Sequence, residues 1–258
     1  MEHKTIRAGA LELHASEVGQ GSPLVVLLHG WCCRRSDWDQ TLTALADDAH
    51  LLALDLPGHG ASSEQVPEEW TVAGLAGALV TAVKATGAER VVLVGHSMGG
   101  AVALEAARAL DTVDAVVLLD TFVIPYGDLT GEQADAIEAP FREDFTAAVE
   151  ALVEQNVASI LSRERRRWII ERMAAAEPAR MLPLWHDLLR WSPDQAFADL
   201  ATRKMPIHAI NGDLVPEAAR QRCRAHVREW VLDGAGHFPQ FEMPERFQEM
   251  LRQVLGAL

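Results

Sequence analysis

The sequence predicts an α/β protein: a doubly wound, mostly parallel sheet flanked by helices, with an inserted helical cap. Three observations predict it. Short, continuously apolar runs recur and stop at glycine, aspartate, asparagine or histidine. Helical stretches with readable ends separate them. Residues 122–201 then break the alternation with a stretch that holds no strand-like run.

The first run is Leu24-Val25-Val26-Leu27-Leu28, which stops at His29-Gly30. Leu51-Leu52-Ala53-Leu54 stops at Asp55, Val91-Val92-Leu93-Val94 at Gly95, and Val116-Val117-Leu118-Leu119 at Asp120. Ile207-His208-Ala209-Ile210 stops at Asn211-Gly212, and Trp230-Val231-Leu232 at Asp233-Gly234. Strands without polar alternation are covered on both faces, as in a parallel sheet.

The helices announce their ends. Ser36 followed by Asp39 reads as a capping box that opens a helix through Ala46. Thr71 is placed to cap a helix reaching Thr86, with Gly87 as its left-handed stop. Residues 98–110 are rich in alanine, the strongest helix former. Pro244 introduces a final helix running to Leu258. Repeated strand–helix–strand units build a doubly wound sheet, here from residues 1–121 and 202–258. Residues 122–201 read as helix throughout and hold Trp168, Trp185 and Trp191, as expected for a cap packed over one end of the sheet.

Composition narrows the function. The 258 residues are 49% hydrophobic, enough for a substantial core, and 23% charged, which is ordinary for a folded chain. A formal net charge of −14 repels phosphate backbones and anionic lipid heads, so neither nucleic acid nor a membrane surface is an expected partner. The basic run at residues 163–167 reads as a solvated helix face. Cys32, Cys33 and Cys223 form neither a disulfide framework nor a zinc-site spacing, so no metal or other cofactor is expected. No apolar run reaches the roughly 18 residues that span a bilayer, and the first residues lack a secretory core. The expectation is a cytoplasmic protein, monomer or homodimer, acting on a small molecule.

The most informative segment is Val91-Val92-Leu93-Val94-Gly95-His96-Ser97-Met98-Gly99-Gly100. Gly95-x-Ser97-x-Gly99 follows a strand and opens a helix, which is the context of a nucleophile elbow. The flanking glycines let strand and helix backbones close together. Such a turn lifts the Ser97 hydroxyl clear and aims the Met98 amide, at the positive end of the helix, toward a developing oxyanion. A serine hydroxyl needs a base, and His237, in Asp233-Gly234-Ala235-Gly236-His237-Phe238 just after a strand, is the candidate among ten histidines.

With His29-Gly30, Asp55-Leu56-Pro57-Gly58-His59-Gly60-Ala61-Ser62, the elbow and Gly236-His237-Phe238-Pro239 in that order, the chain resembles the α/β-hydrolase fold superfamily. The likeness is to its compact serine branch with a helical cap, and it covers nearly the full length. It implies a Ser97–His237–acid triad. Two acids compete. Most relatives place the acid three residues beyond a glycine after the strand preceding the histidine; here Asp213 follows Gly212 directly and that position is Val215. Some relatives take it from the strand end after the elbow helix, which is Asp120. Asp120 is preferred, with Asp213 the alternative. The resemblance also implies the Trp31 amide as second oxyanion donor beside Met98, and structural roles for His29 and His59. The reaction it implies is hydrolysis of a small to medium, mainly apolar ester or thioester through an acyl-enzyme on Ser97. Carbon–carbon bond hydrolysis, perhydrolysis and cyanohydrin cleavage occur on the same fold, and so do non-catalytic small-molecule receptors.

Overall fold

The structure, a computed structural model, describes residues 1–62, 64–67 and 69–258. Among these residues, eight strands form one sheet. They are β1 (Glu2–Ala8), β2 (Leu11–Val18), β3 (Leu24–Leu28), β4 (His50–Leu54), β5 (Val91–His96), β6 (Val113–Leu119), β7 (Ile207–Asn211) and β8 (Arg228–Val231). Their order across the sheet is β1-β2-β4-β3-β5-β6-β7-β8. β1–β2 and β2–β4 pair antiparallel, and every other neighbouring pair is parallel.

The helices are α1 (Asp39–Leu45), α2 (Val72–Thr86), α3 (Met98–Arg108), α4 (Gly131–Glu143), α5 (Phe145–Asn156) and α6 (Arg163–Ala174). They continue with α7 (Pro178–Arg190), α8 (Asp194–Thr202), α9 (Glu217–Cys223), α10 (Pro239–Glu242) and α11 (Pro244–Leu255). Five of them, α4 to α8, lie between β6 and β7 in the chain.

Successive residues of the central strands enter opposite cores. Val26, Leu28, Leu93 and Leu118 join one apolar cluster with Leu75 and Leu79 of α2 and Val102 of α3. Val25, Leu27, Val92, Val94, Val117 and Leu119 join another with Leu42 of α1 and Leu251 of α11. Apolar residues at every position are therefore what a strand between two helix layers requires. Each such side chain contributes about 1.5–3 kcal/mol by leaving water.

Local signals account for most helix ends. Thr71 Oγ1 accepts from the Gly74 amide at 2.9 Å, and Gly87 closes α2 at φ +70°. A cap of this kind is worth about 1 kcal/mol. The start of α1 differs from the Ser36–Asp39 expectation. A 3-10 turn over Arg35–Trp38 precedes it, and the Asp37 carboxylate reaches back to the Arg34 amide at 3.2 Å. Ser36 Oγ instead accepts from Arg172 at 2.9 Å.

Three further differences have physical reasons. The hairpin β1–β2 is not announced by apolar runs, because β1 is the sheet's outer strand and mostly polar, as edge strands are. The run at Trp230-Val231-Leu232 is not covered on both faces: β8 is the opposite edge, pairs only with β7, and leaves Val231 exposed. Residues 122–201 are not helical throughout. A short 3-10 turn at Thr121–Val123 gives way to a loop, and α4 begins only after Thr130, whose hydroxyl accepts from Gln133 at 3.2 Å. The final helix stops at Leu255. No helix of the described residues is long and apolar enough to cross a membrane.

Candidate active site

The turn between β5 and α3 is as tight as its glycines imply. Ser97 has φ +52° and ψ −121°, a conformation that costs a side-chain-bearing residue about 1–3 kcal/mol. The surroundings hold it there: the Ser97 amide donates to the Leu119 carbonyl at 2.9 Å, and its own carbonyl accepts from Gly100 at 2.9 Å. A Cβ on Gly95 would lie 2.2 Å from the Gly99 carbonyl oxygen, and one on Gly99 would lie 2.5 Å from that of Leu28. Strand and helix approach this closely only because both positions lack side chains.

The hydroxyl raised by this turn meets an imidazole and a carboxylate from two other chain segments. Ser97 Oγ lies 3.1 Å from Nε2 of His237, and Nδ1 of His237 lies 2.7 Å from Oδ2 of Asp120. A carboxylate oxygen accepts, so Nδ1 carries the proton and Nε2 is free to receive one from serine. Asp120 ends β6, is fully buried, and adopts a left-handed backbone at φ +49°. Its second oxygen, Oδ1, accepts from the Gly212 amide at 2.9 Å, so the carboxylate is held at both ends.

Asp213, the alternative acid, is not brought to the imidazole. Its Oδ2 accepts from the Gly234 amide at 3.0 Å, and its own amide donates to Ala235 at 2.9 Å. It shapes the turn that leads to His237. The loop after β7 thus contributes an amide, that of Gly212, to the carboxylate at the end of the neighbouring strand β6.

Three more histidines surround this group as supports. His96 Nε2 donates to the His237 carbonyl at 2.7 Å, and the two rings lie 4.9 Å apart. His29 donates from Nδ1 to the Gly30 carbonyl and accepts at Nε2 from the Leu56 amide at 3.0 Å, tying the ends of β3 and β4 together. His59 stacks 4.8 Å from His29 and bonds the Pro57 carbonyl. Burial pushes His29 down to about 4 and both His59 and His96 down to about 3, so all three are neutral at ordinary pH.

Above Ser97 opens a cavity of about 520 Å³, counting the space that reaches solvent. Trp31, Trp185, Phe238, Val153, Ile124 and Met173 form much of its wall, and no Asp, Glu, Lys or Arg of the described residues lines it. Trp31 follows Gly30 and is nearly fully buried. Its indole stacks on Trp185 of α7 with centroids 4.6 Å apart, and Nε1 donates to the Met181 carbonyl at 3.0 Å. An aromatic pair of this kind adds about 0.5–1.5 kcal/mol beyond burial. Met98 is the first residue of α3, where backbone amides have no partner within the helix.

Residues with no signal in the sequence also reach this site. Tyr126, from the loop after β6, lines the cavity. Burial pushes its phenol up, opposed by the hydroxyl of Ser97 beside it. Thr121 lines the same cavity, and its Oγ1 is buried without a hydrogen-bond partner. Asn156 ends α5 and accepts from the His237 amide at 2.7 Å.

An open-edged, mostly parallel sheet, a strained serine at a strand-to-helix turn and a histidine from the last loop define a hydrolase-type α/β fold. The sequence pattern of the alpha/beta hydrolase family matches residues 25–249, and the chain belongs to that family. It is 29% identical over 261 residues to the pimeloyl-[acyl-carrier protein] methyl ester esterase of Xanthomonas campestris pv. campestris, covering 95% of this chain and 100% of that one. It is 28% identical over 266 residues to the dihydrolipoyllysine-residue acetyltransferase component of the acetoin cleaving system of Cupriavidus necator, covering 93% of this chain but 65% of that protein. Among solved structures, a thermophilic esterase from Thermogutta terrifontis superposes with a TM-score of 0.84 at 24% identity, covering 100% of this chain and 99% of that one. At that identity the superposition speaks for the fold.

Proposed function

We propose that this protein is a serine hydrolase of small to medium, mainly apolar esters or thioesters, working through an acyl-enzyme on Ser97. The observation that carries the reading is the unbroken chain of hydrogen bonds from Ser97 Oγ through His237 to Asp120, at 3.1 and 2.7 Å, at the floor of an apolar cavity. The esterase name borne by the Xanthomonas relative supports the same chemistry.

In this mechanism His237 Nε2 takes the Ser97 proton as Oγ bonds to the substrate carbonyl carbon. Asp120 keeps the imidazole in its Nδ1–H tautomer and stabilises the imidazolium that forms. The carbonyl oxygen, now negative, is held by the amides of Trp31 and Met98, a donor pair whose members are each worth about 10²–10³ in rate. Collapse breaks the bond to the alcohol or thiol, which leaves with the proton from His237. Water, deprotonated by the same nitrogen, then attacks the acyl carbon; the bond to Ser97 Oγ breaks, the carboxylic acid leaves, and His237 returns the proton to Oγ.

The helices of residues 122–201 act, in this reading, as a cap on a core made of residues 1–121 and 202–258. The stacking of Trp31 on Trp185 supports it, because one wall of the cavity then comes from each part. A wall of aromatic and aliphatic side chains without formal charge favours a neutral acyl group. Hydrolysis of p-nitrophenyl acetate and butyrate, with Ser97→Ala as the comparison, tests the proposal. Turnover by the wild-type chain, lost in the variant together with labelling by a fluorophosphonate, is the expected result. Unchanged turnover in Ser97→Ala removes it.

A further inference from the structure

Residues 236, 237 and 238 are each fastened by a hydrogen bond from the backbone amide, and two of the three fastenings go to one side chain. Glu242, in α10, is 6% exposed. Its Oε2 accepts from the Gly236 amide in a short bond, and its Oε1 accepts from Phe238 at 3.4 Å. The amide between them, that of His237, donates to the Asn156 carbonyl at 2.7 Å. Oε1 of Glu242 also accepts from the Ala158 amide at 3.2 Å, which lies in the connection between α5 and α6. One carboxylate therefore holds both sides of the histidine and reaches into the inserted helices.

The closeness of these two loops is itself demanding. A Cβ on Gly236 would lie 2.6 Å from the Ala158 nitrogen and 2.8 Å from the Asn156 oxygen. Among the described residues no lysine or arginine pairs with Glu242. Burial raises its carboxyl, the three amides oppose that rise, and Asp120, of like sign, raises it further. A buried carboxylate is costly unless its lone pairs are satisfied, and here backbone donors do so.

We infer that Glu242 is a positioning residue for His237. It welds the histidine loop to the α5–α6 connection, so that the aim of the imidazole and the placement of the inserted helices are set as one unit. The activity consequence rests on the ester-hydrolase reading above; the structural coupling does not. Neither the sequence pattern nor the triad geometry assigns this residue a role.

The test uses the full chain with Glu242→Gln and, separately, Ala158→Pro. In Glu242→Gln an amide group replaces Oε2 and turns a donor toward the Gly236 amide. Ala158→Pro removes the amide that links Glu242 to the inserted helices and leaves both Glu242 oxygens in place. The readouts are kcat and KM for p-nitrophenyl butyrate, and the low-field proton resonance of the His237 Nδ1–H bonded to Asp120. Small misplacements of a catalytic group cost up to about 10²-fold, so Glu242→Gln should lose at least about tenfold in kcat with KM held within about twofold. Its low-field proton should broaden or vanish. Ala158→Pro should shift both readouts in the same direction and by less. A folded Glu242→Gln protein with wild-type kcat and an unchanged low-field proton overturns the inference. So does a fall in kcat that leaves that proton untouched. If Glu242→Gln does not fold, Ala158→Pro decides: a shifted proton supports the coupling, and an unshifted one overturns it. A wild-type chain without ester turnover counts against the hydrolase reading alone, since the resonance reports on Glu242 without any substrate.

Discussion

His96 donates from Nε2 to the carbonyl oxygen of His237 across 2.7 Å, so the neighbour of the elbow serine braces the backbone of the imidazole that reaches it. The bond joins β5 to the loop after β8, two places that share no local sequence. Leaving a buried carbonyl unpaired costs about 1–3 kcal/mol. His96→Leu should therefore lower kcat/KM for a p-nitrophenyl ester by about tenfold or more, together with a lowered melting temperature. Steady-state kinetics and thermal melts of the variant check this.

Asp120 and Asp213 separate cleanly by mutation. Asp120→Asn keeps the shape but offers an amide where the imidazole needs an acceptor, and losses of about 10⁴-fold in kcat follow from the wrong tautomer. Asp213→Asn should stay within a few-fold of wild type, because that carboxylate bonds the Gly234 amide and not the ring. Comparing kcat of the two variants on one substrate checks both outcomes.

Acid should weaken the fold through three imidazoles. Burial holds His29 at about 4 and His59 and His96 at about 3 in the folded chain, whereas an unfolded imidazole titrates near about 6.5. The folded state favours the neutral rings. Their contribution is fully present above the unfolded value and is lost as pH falls toward 4 and then 3. Each proton taken up only on unfolding steepens the loss by about 1.4 kcal/mol per pH unit. Urea midpoints measured between neutral pH and mild acid should fall accordingly. His59→Asn, which preserves a donor to the Pro57 carbonyl, should lessen that slope by about one proton.

Alkali should act on the opposite kind of group. Tyr126 is the chain's single tyrosine, and burial pushes its phenol above the ordinary value of about 10. The protonated form is favoured in the folded state, so this contribution is complete below that ordinary value and is lost as pH rises beyond it. The near-ultraviolet tyrosinate band should stay absent from the folded protein above pH ~10 and appear when it unfolds. A band that grows at the ordinary pH in the folded chain would place the phenol in solvent.

What the sequence discloses about this site follows from how local each part is. The elbow is legible because Gly95, Ser97 and Gly99 lie within five residues between an apolar run and an alanine-rich helix. Asp120 is legible as a strand end, yet Asp213 competes with it, since nothing in the order of residues says that the Gly212 amide turns toward Asp120. Glu242 and Asn156 are silent for the same reason. Their partners are backbone amides, some as near as Gly236 and Phe238 and others as far as Ala158 and His237, and a backbone amide carries no letter in the sequence. The hairpin β1–β2 is hidden differently: an outer strand carries Glu2, Lys4 and Arg7 and so lacks the apolar run by which inner strands declare themselves.

The order in which the chain supplies its parts has a consequence for synthesis. The strained serine and its carboxylate partner come from the first half, whereas the imidazole follows β8, the outermost strand. A polypeptide growing from its N-terminus contains the segments of seven of the eight strands before the segment that carries His237 is made. On the hydrolase reading proposed above, the Ser97 hydroxyl gains its base only once the loop after β8 has been made and has docked.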